Sequence, residues 1–307
     1  MKGGELAPSP AAAAAPAGRA ALRPLDLASI LLVQVLWGFN FPFAKLAMTE
    51  LPPLLFTALR FALVAALLCP FFAFPRGRLK AILLLSLSLG SIHFSLMFTG
   101  LSRTEASTAA LLTQSQVIFA ALLARAFFGD RLGARGVLGL GIALAGVALI
   151  VGQPRFGDDP APVGMILLAA LVWAVGNVQV KAFGPVDPFA LTGWVAFFAW
   201  PQILVLSLLI EEGHAARIAA AGFKGWGGVA YAAVAVTVVS YWFWYTLVRR
   251  YDINQTMPFT LLVPVIGVAA SALVLGEALG WQEALGGAAT ILGVATIVLR
   301  RRGEAAR

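Results

Sequence analysis

Cysteine and histidine are nearly missing from this chain: Cys69, His93 and His214 are all it has in 307 residues. A lone thiol excludes a disulfide framework, and so few thiol and imidazole ligands leave no usual metal site. Cys69 stands in an apolar run beside Pro70, so it reads as a small packed hydrophobe rather than a nucleophile. Charge is scarce too, at 12% of residues, against about a quarter in soluble domains. Acids are missing from the middles of the apolar runs: Glu50, Glu105, Asp187, Asp252 and Glu277 all stand at run ends. That argues against exchanging a proton for a cationic drug on a buried carboxylate. It also argues against an intramembrane enzyme, which needs clustered His and Asp or a Ser with its base. The expectation is a non-enzyme with no cofactor and no metal.

What the chain does have is apolar surface: 60% hydrophobic residues and a mean hydropathy of +0.89. No water-soluble fold of this size could bury so much, so the lipid bilayer is the expected partner. A net charge of +8 would suggest nucleic acid in a soluble protein, but the basic residues lie between apolar runs and read as topology signals. Runs near the length of a spanning helix fall at 27–47, 53–75, 79–101, 105–128, 135–152, 163–183, 187–210, 226–249, 254–276 and 281–299. Turn chemistry separates them, as in Leu51-Pro52-Pro53 and Pro75-Arg76-Gly77-Arg78. Taken as ten spans, one side collects most of the basic residues, including Arg76, Arg78, Lys80, Arg125, Arg131, Arg135, Lys181, Arg249 and Arg250, while the other holds Lys45, Arg103, Arg155, Arg217 and Lys224. Basic loops stay in the cytoplasm, so both termini are expected inside.

The chain repeats itself. L-W-G-F-N-F-P-F-A-K (36–45) and V-W-A-V-G-N-V-Q-V-K (172–181) each place Trp eight residues before Lys, with Gly and Asn between. Residues 104–132 align in the same way with 251–279, and glycine-rich helices follow both, G-L-G-I-A-L-A-G (139–146) and G-G-A-A-T-I-L-G (286–293). The predicted fold class is all-α integral membrane, ten transmembrane helices as two inverted five-helix repeats over 27–152 and 163–299. An Ala/Pro-rich stretch, 1–26, reads as a disordered tail, and 300–307 as a basic one. Five spans per half is odd, so the halves insert in opposite orientation and share a site near the bilayer midplane.

These residues resemble the EamA branch of the drug/metabolite transporter superfamily. The likeness rests on W-G-F-N-F-x-x-x-K, P-P-L-L-F-T-A-L-R-F (52–61), the Gly-Asp/Glu-x-Leu ends of spans 4 and 9, and L-L-V-P-V-I-G (261–267). It covers about 27–299 and is nearest to bacterial exporters of O-acetylserine/cysteine and of aromatic amino acids. The resemblance implies efflux of amino acids or related metabolites across the inner membrane. Drugs, nucleotide sugars or other metabolites are the alternative cargo, and a monomer or homodimer the expected assembly.

Polar and aromatic groups inside spans are the candidate site, because they are costly in hydrocarbon. The substrate-binding candidates are Trp37, Asn40, His93, Gln114, Gln116, Trp173, Asn177, Ser240, Tyr241 and Trp244. Asn amides and opened backbone would hold the polar groups of a zwitterion, and tryptophans would wall an apolar side chain. Gln114 and Gln116 cannot share one helix face. Pro42, Gly90, Gly176 and Pro264 are the hinge candidates. Arg60 is expected to tether to a carbonyl or snorkel to the cytoplasmic end, since Val195 stands at its repeat position. Lys45 and Lys181 read as anchors, Asp130 and Glu277 as caps, and Gly141-x-x-x-Ala145 with Ala289-x-x-x-Gly293 as close-packing stripes.

Overall fold

A computed structural model describes residues 22–103, 112–129, 133–151, 159–275 and 280–298. Among them the chain is helical, with no strand. The helices are α1 (Pro24–Ala47), α2 (Pro53–Leu68), α3 (Leu79–Ser102), α4 (Ser115–Phe128), α5 (Ala134–Val151), α6 (Ala161–Phe183), α7 (Pro188–Ile210), α8 (Phe223–Arg250), α9 (Leu262–Leu275) and α10 (Trp281–Val298). A short helix, His214–Ala220, links α7 to α8, and a helical turn, Ile253–Thr256, with a 3₁₀ turn, Met257–Leu261, leads into α9. Six helices are long and apolar enough to cross a membrane: Pro24–Ala47, Leu79–Ser102, Ala161–Phe183, Pro188–Ile210, Phe223–Arg250 and Met257–Val274. Four shorter apolar ones accompany them among the described residues.

Helix ends follow local chemistry. α1 starts at Pro24, three residues before the expected span, because Pro suits the first helical position and Asp26 lies where the dipole favours an acid. Residues 24–26 are therefore helix rather than tail; 1–21 and the basic tail lie outside the described residues, as do Asp130 and Glu277. The second span is shorter than expected, ending at Leu68 instead of 75, since Pro70 cannot continue a helix. Asp187 caps α7 by accepting from the backbone N–H groups of Phe189 and Ala190. Asp252 and Gln255 form a capping box on the turn before α9.

Packing joins distant parts of the chain. α2 lies on α7, α5 on α10, α1 on α9 and α8, and α6 on α4 and α3. At the α5–α10 contact, Gly139 and Gly146 face Gly293, Thr290 and Gly286, and Gly293 faces Ala143. The stripe is thus used inside the chain, but in another register from the one expected. Gly141 faces open space, because the helices meet on the face of 139, 143 and 146 instead. Thr290 Oγ1 donates within its own helix to Gly286 O at 2.8 Å. The same hydroxyl lies 3.4 Å from Ala143 O on α5, so it spans the contact.

The two ends of the bundle are tied by polar contacts. At one end Asp26 accepts from Arg250 at 2.9 Å and from the Tyr251 hydroxyl at 2.6 Å, while Arg78 donates to Phe183 O. At the other, Glu50 accepts from the backbone N–H groups of Gly222 and Gly225, and Glu211 accepts from those of Leu54 and Leu55. Among the described residues, every acid lies at or beyond a helix end.

Candidate functional site

Trp37 on α1, Trp173 on α6, and Tyr241 and Trp244 on α8 converge on one cluster. The ring of Trp37 stands 6.1 Å from that of Trp173, 5.9 Å from Tyr241 and 5.1 Å from Trp244. Trp173 and Trp244 are 5.8 Å apart. Tyr241 and Trp244 sit three residues apart and so present one face of α8. Most pairs meet edge to face or tilted, the arrangement ring quadrupoles prefer. Trp37 keeps part of its surface accessible, while Trp173, Tyr241 and Trp244 are buried. Its indole N–H points to Val236 O at 3.4 Å.

The predicted polar residues divide by what already occupies them. Asn177 is engaged at both ends of its amide: Nδ2 donates to Trp173 O at 2.8 Å and Oδ1 accepts from the Trp244 indole at 2.6 Å. Ser240 donates to Ala235 O at 2.8 Å. His93 is buried, with Nδ1 2.9 Å from Ala169 O, so that nitrogen carries the proton toward the carbonyl of α6. Asn40 differs: its Oδ1 is buried and has no partner. It lies three residues beyond Trp37, hence next to it on one face of α1. Two residues further, Pro42 lacks the N–H that would bond Gly38 O. Gln114 and Gln116 are both buried at the start of α4.

Two segments widen from α- to π-helical geometry, Ser86–Ile92 in α3 and Ala232–Val239 in α8. Wide turns of this kind recur at functional sites. Each is stitched by a hydroxyl reaching back five residues: Ser91 to Ser86 O, Thr237 to Ala232 O and Ser240 to Ala235 O. His93 and Ser240 are the first residues after the two segments. The serines of α3 also reach across the bundle, Ser88 to Gln179 Oε1 at 2.7 Å and Ser91 to Gln202 Oε1. Sequence reasoning missed this network, although three serines in one apolar run, Ser86, Ser88 and Ser91, could have pointed to it.

Arg60 departs from its expected role. It is 1% exposed, so it does not snorkel, and it meets no carbonyl. Its Nε donates to Thr237 Oγ1 at 2.8 Å, and its guanidinium carbon lies 4.5 Å from the centre of the Phe94 ring. Its partner sits on α8 across the bundle, a contact that repeat symmetry within one half cannot reveal. The hinge candidates Gly90 and Gly176 are places of close approach: Gly90 packs on Ala199 and Gly176 on Leu89. Pro42 lies inside α1 and Pro264 in the first turn of α9.

Apolar helices of spanning length, with tryptophans and hydrogen-bonded polar side chains buried among them, define an integral membrane protein. The profile of the EamA-like transporter family matches residues 26–152 and again 161–299. The chain belongs to this family of transporters. It is 32% identical over 274 residues to a probable amino-acid metabolite efflux pump of Escherichia coli strain K12, covering 86% of this chain and 91% of that protein. A protein of the same description from Salmonella typhimurium is 32% identical over 271 residues, covering 85% and 90%. One solved crystal structure, 19% identical, superposes with a TM-score of 0.78 over 90% of this chain and 97% of that one, a likeness of fold.

Proposed function

We propose that this transporter exports amino acids and related metabolites across the bacterial inner membrane. The observation that carries this reading is the cluster of Trp37, Trp173, Tyr241 and Trp244, where α1, α6 and α8 meet. Its part-exposed Trp37 and the unpartnered Asn40 Oδ1 one turn along α1 would take an apolar side chain and an ammonium group. The descriptions of the two enteric relatives agree with such cargo.

Alternating access by two inverted halves is the mechanism that fits. Exchanging the halves maps the α1–α9 contact onto α6–α4 and α1–α8 onto α6–α3, and maps α2–α7 and α5–α10 onto themselves. The π segments of α3 and α8 correspond in the same way. In this reading α1–α5 rock against α6–α10 around a midplane cavity, with both termini cytoplasmic. The contacts at the Asp26–Arg250 end and the Glu50 end would break and reform in turn.

The test is efflux of radiolabelled amino acids from proteoliposomes, across a broad panel, with and without a proton gradient. Flux of neutral amino acids without a gradient supports a facilitated exporter. Strict gradient dependence would turn attention to His93 as the coupling group. No amino-acid flux under either condition would reject the cargo.

A further inference from the structure

The Arg60 guanidinium is a buried cation that its surroundings satisfy only in part. Both terminal nitrogens, Nη1 and Nη2, are buried and make no hydrogen bond. No acid among the described residues pairs with it. Its position is nonetheless fixed: Nε is held by Thr237 Oγ1 at 2.8 Å, and the rings of Phe94 and Phe61 lie 4.5 and 5.3 Å from its central carbon. Thr237 is held in turn by Ala232 O through the π segment of α8. An isolated buried cation is strongly unfavourable, and removal of its counter-charge is what makes such groups costly. A guanidinium tethered through Nε presents its other two nitrogens as a fork that matches a carboxylate.

The fork also lies beside the aromatic cluster. The Tyr241 hydroxyl neighbours and interacts with both Arg60 and Trp173. Tyr241 packs edge-on against Trp37 at 5.9 Å. His93 neighbours the same place through Phe94, at 4.7 Å between rings. A charged head and an apolar wall thus adjoin through one side chain.

We propose that Arg60 is the carboxylate subsite: its Nη1 and Nη2 bind the α-carboxylate of a zwitterionic substrate whose side chain rests on the Trp37–Tyr241 wall. This rests on the exporter reading and specifies how that site recognises its cargo. Thr237 is a positioning residue that holds the fork in place. The subsite selects amino acids with a free carboxylate over amides and decarboxylated amines, whatever the side chain.

The test uses the full-length protein in liposomes and radiolabelled leucine, with unlabelled leucine, leucinamide and isopentylamine as competitors. In the native protein, leucinamide and isopentylamine should compete about tenfold or more weakly than leucine, in line with the strength of charge-assisted hydrogen bonds. Arg60→Gln should lower leucine flux about tenfold or more at subsaturating concentration and erase the preference for acid over amide. Equal competition by the amide in the native protein overturns the subsite while leaving the exporter reading in place. Folded Arg60→Gln with unchanged flux and preference does the same. Should Arg60→Gln fail to fold, the native competition series still decides. No leucine flux in the native protein overturns the exporter reading and the subsite together.

Discussion

Trp244 donates its indole N–H to Oδ1 of Asn177 at 2.6 Å, joining α8 to α6 where both residues are 1% exposed. The sequence pattern that repeats Trp and Lys at equal spacing, with an Asn between, suggests that Asn177 faces a ligand. Its amide instead closes an interhelical bond and anchors the wall of the aromatic cluster. Asn40, the asparagine of the other copy and one position out of register with it, keeps its oxygen unpartnered.

Removing the acceptor leaves a buried indole donor without a partner. Asn177→Ala should therefore destabilise the protein by about 1–3 kcal/mol, read as a lower thermal midpoint in detergent. The cost should largely vanish in a Trp244→Phe background, where no donor remains to be stranded. Additive costs in that double-mutant cycle would mean that the bond does not couple the helices.

Trp37 touches three aromatic rings while keeping part of its surface open. Trp37→Ala should lower flux of amino acids with large apolar side chains by roughly tenfold, from the loss of aromatic contacts worth about 0.5–1.5 kcal/mol each. Alanine and glycine flux should change much less, and Trp37→Phe should restore most of the difference. A uniform loss for all cargo sizes would place Trp37 outside the binding wall.

What was readable in the sequence divides along physical lines. Trp37 and Trp173 are legible because each stands eight residues before a Lys in an apolar run, and Tyr241 and Trp244 because they neighbour Ser240, which the repeat sets opposite His93. Helix existence was readable because apolar runs of spanning length have one stable form in lipid. Contacts between halves were not. Thr237 meets Arg60 at a sequence separation of 177, and no local pattern encodes that pairing. The π segments were hidden as well: Ala232–Val239 carries the composition of ordinary apolar helix, and the serines of Ser86–Ile92 do not by themselves distinguish a π from an α turn. The end of α2 was readable in principle, and Pro70 should have outweighed the apolar residues beyond it.

Tyr251 gives a pH dependence with a definite sign. Burial, and then its hydrogen bond to the Asp26 carboxylate, push its hydroxyl above the usual tyrosine value near 10. The folded protein therefore holds this proton after the unfolded chain has lost it. The stabilisation is fully present below about pH 10 and is lost as pH rises through the folded value. Tyr251→Phe should be less stable than the native protein by about 1 kcal/mol at neutral pH, and the gap should close in strongly alkaline buffer. A gap that stays constant above pH 10 would mean that the hydroxyl contributes through packing alone.

The α5–α10 contact makes two glycines, five positions apart on one helix, behave oppositely. A Cβ on Gly146 would lie 2.5 Å from the Thr290 backbone nitrogen and 2.6 Å from Gly286 O, atoms that cannot rotate away. Gly146→Ala should therefore push α10 outward and cost about 1–3 kcal/mol, together with the Thr290 bridge to Ala143 O. A Cβ on Gly141 meets nothing within 4 Å. Gly141→Ala should leave stability unchanged or raise it by up to about 1 kcal/mol, because alanine favours the helix. Thermal midpoints of the two variants, measured side by side in the same detergent, decide the matter. Equal losses would mean that α5 also packs through the Gly141 face, as it would if that face met a second copy of the chain. Loss at Gly146 alone means that the stripe serves to clamp the last helix of one half to the last helix of the other.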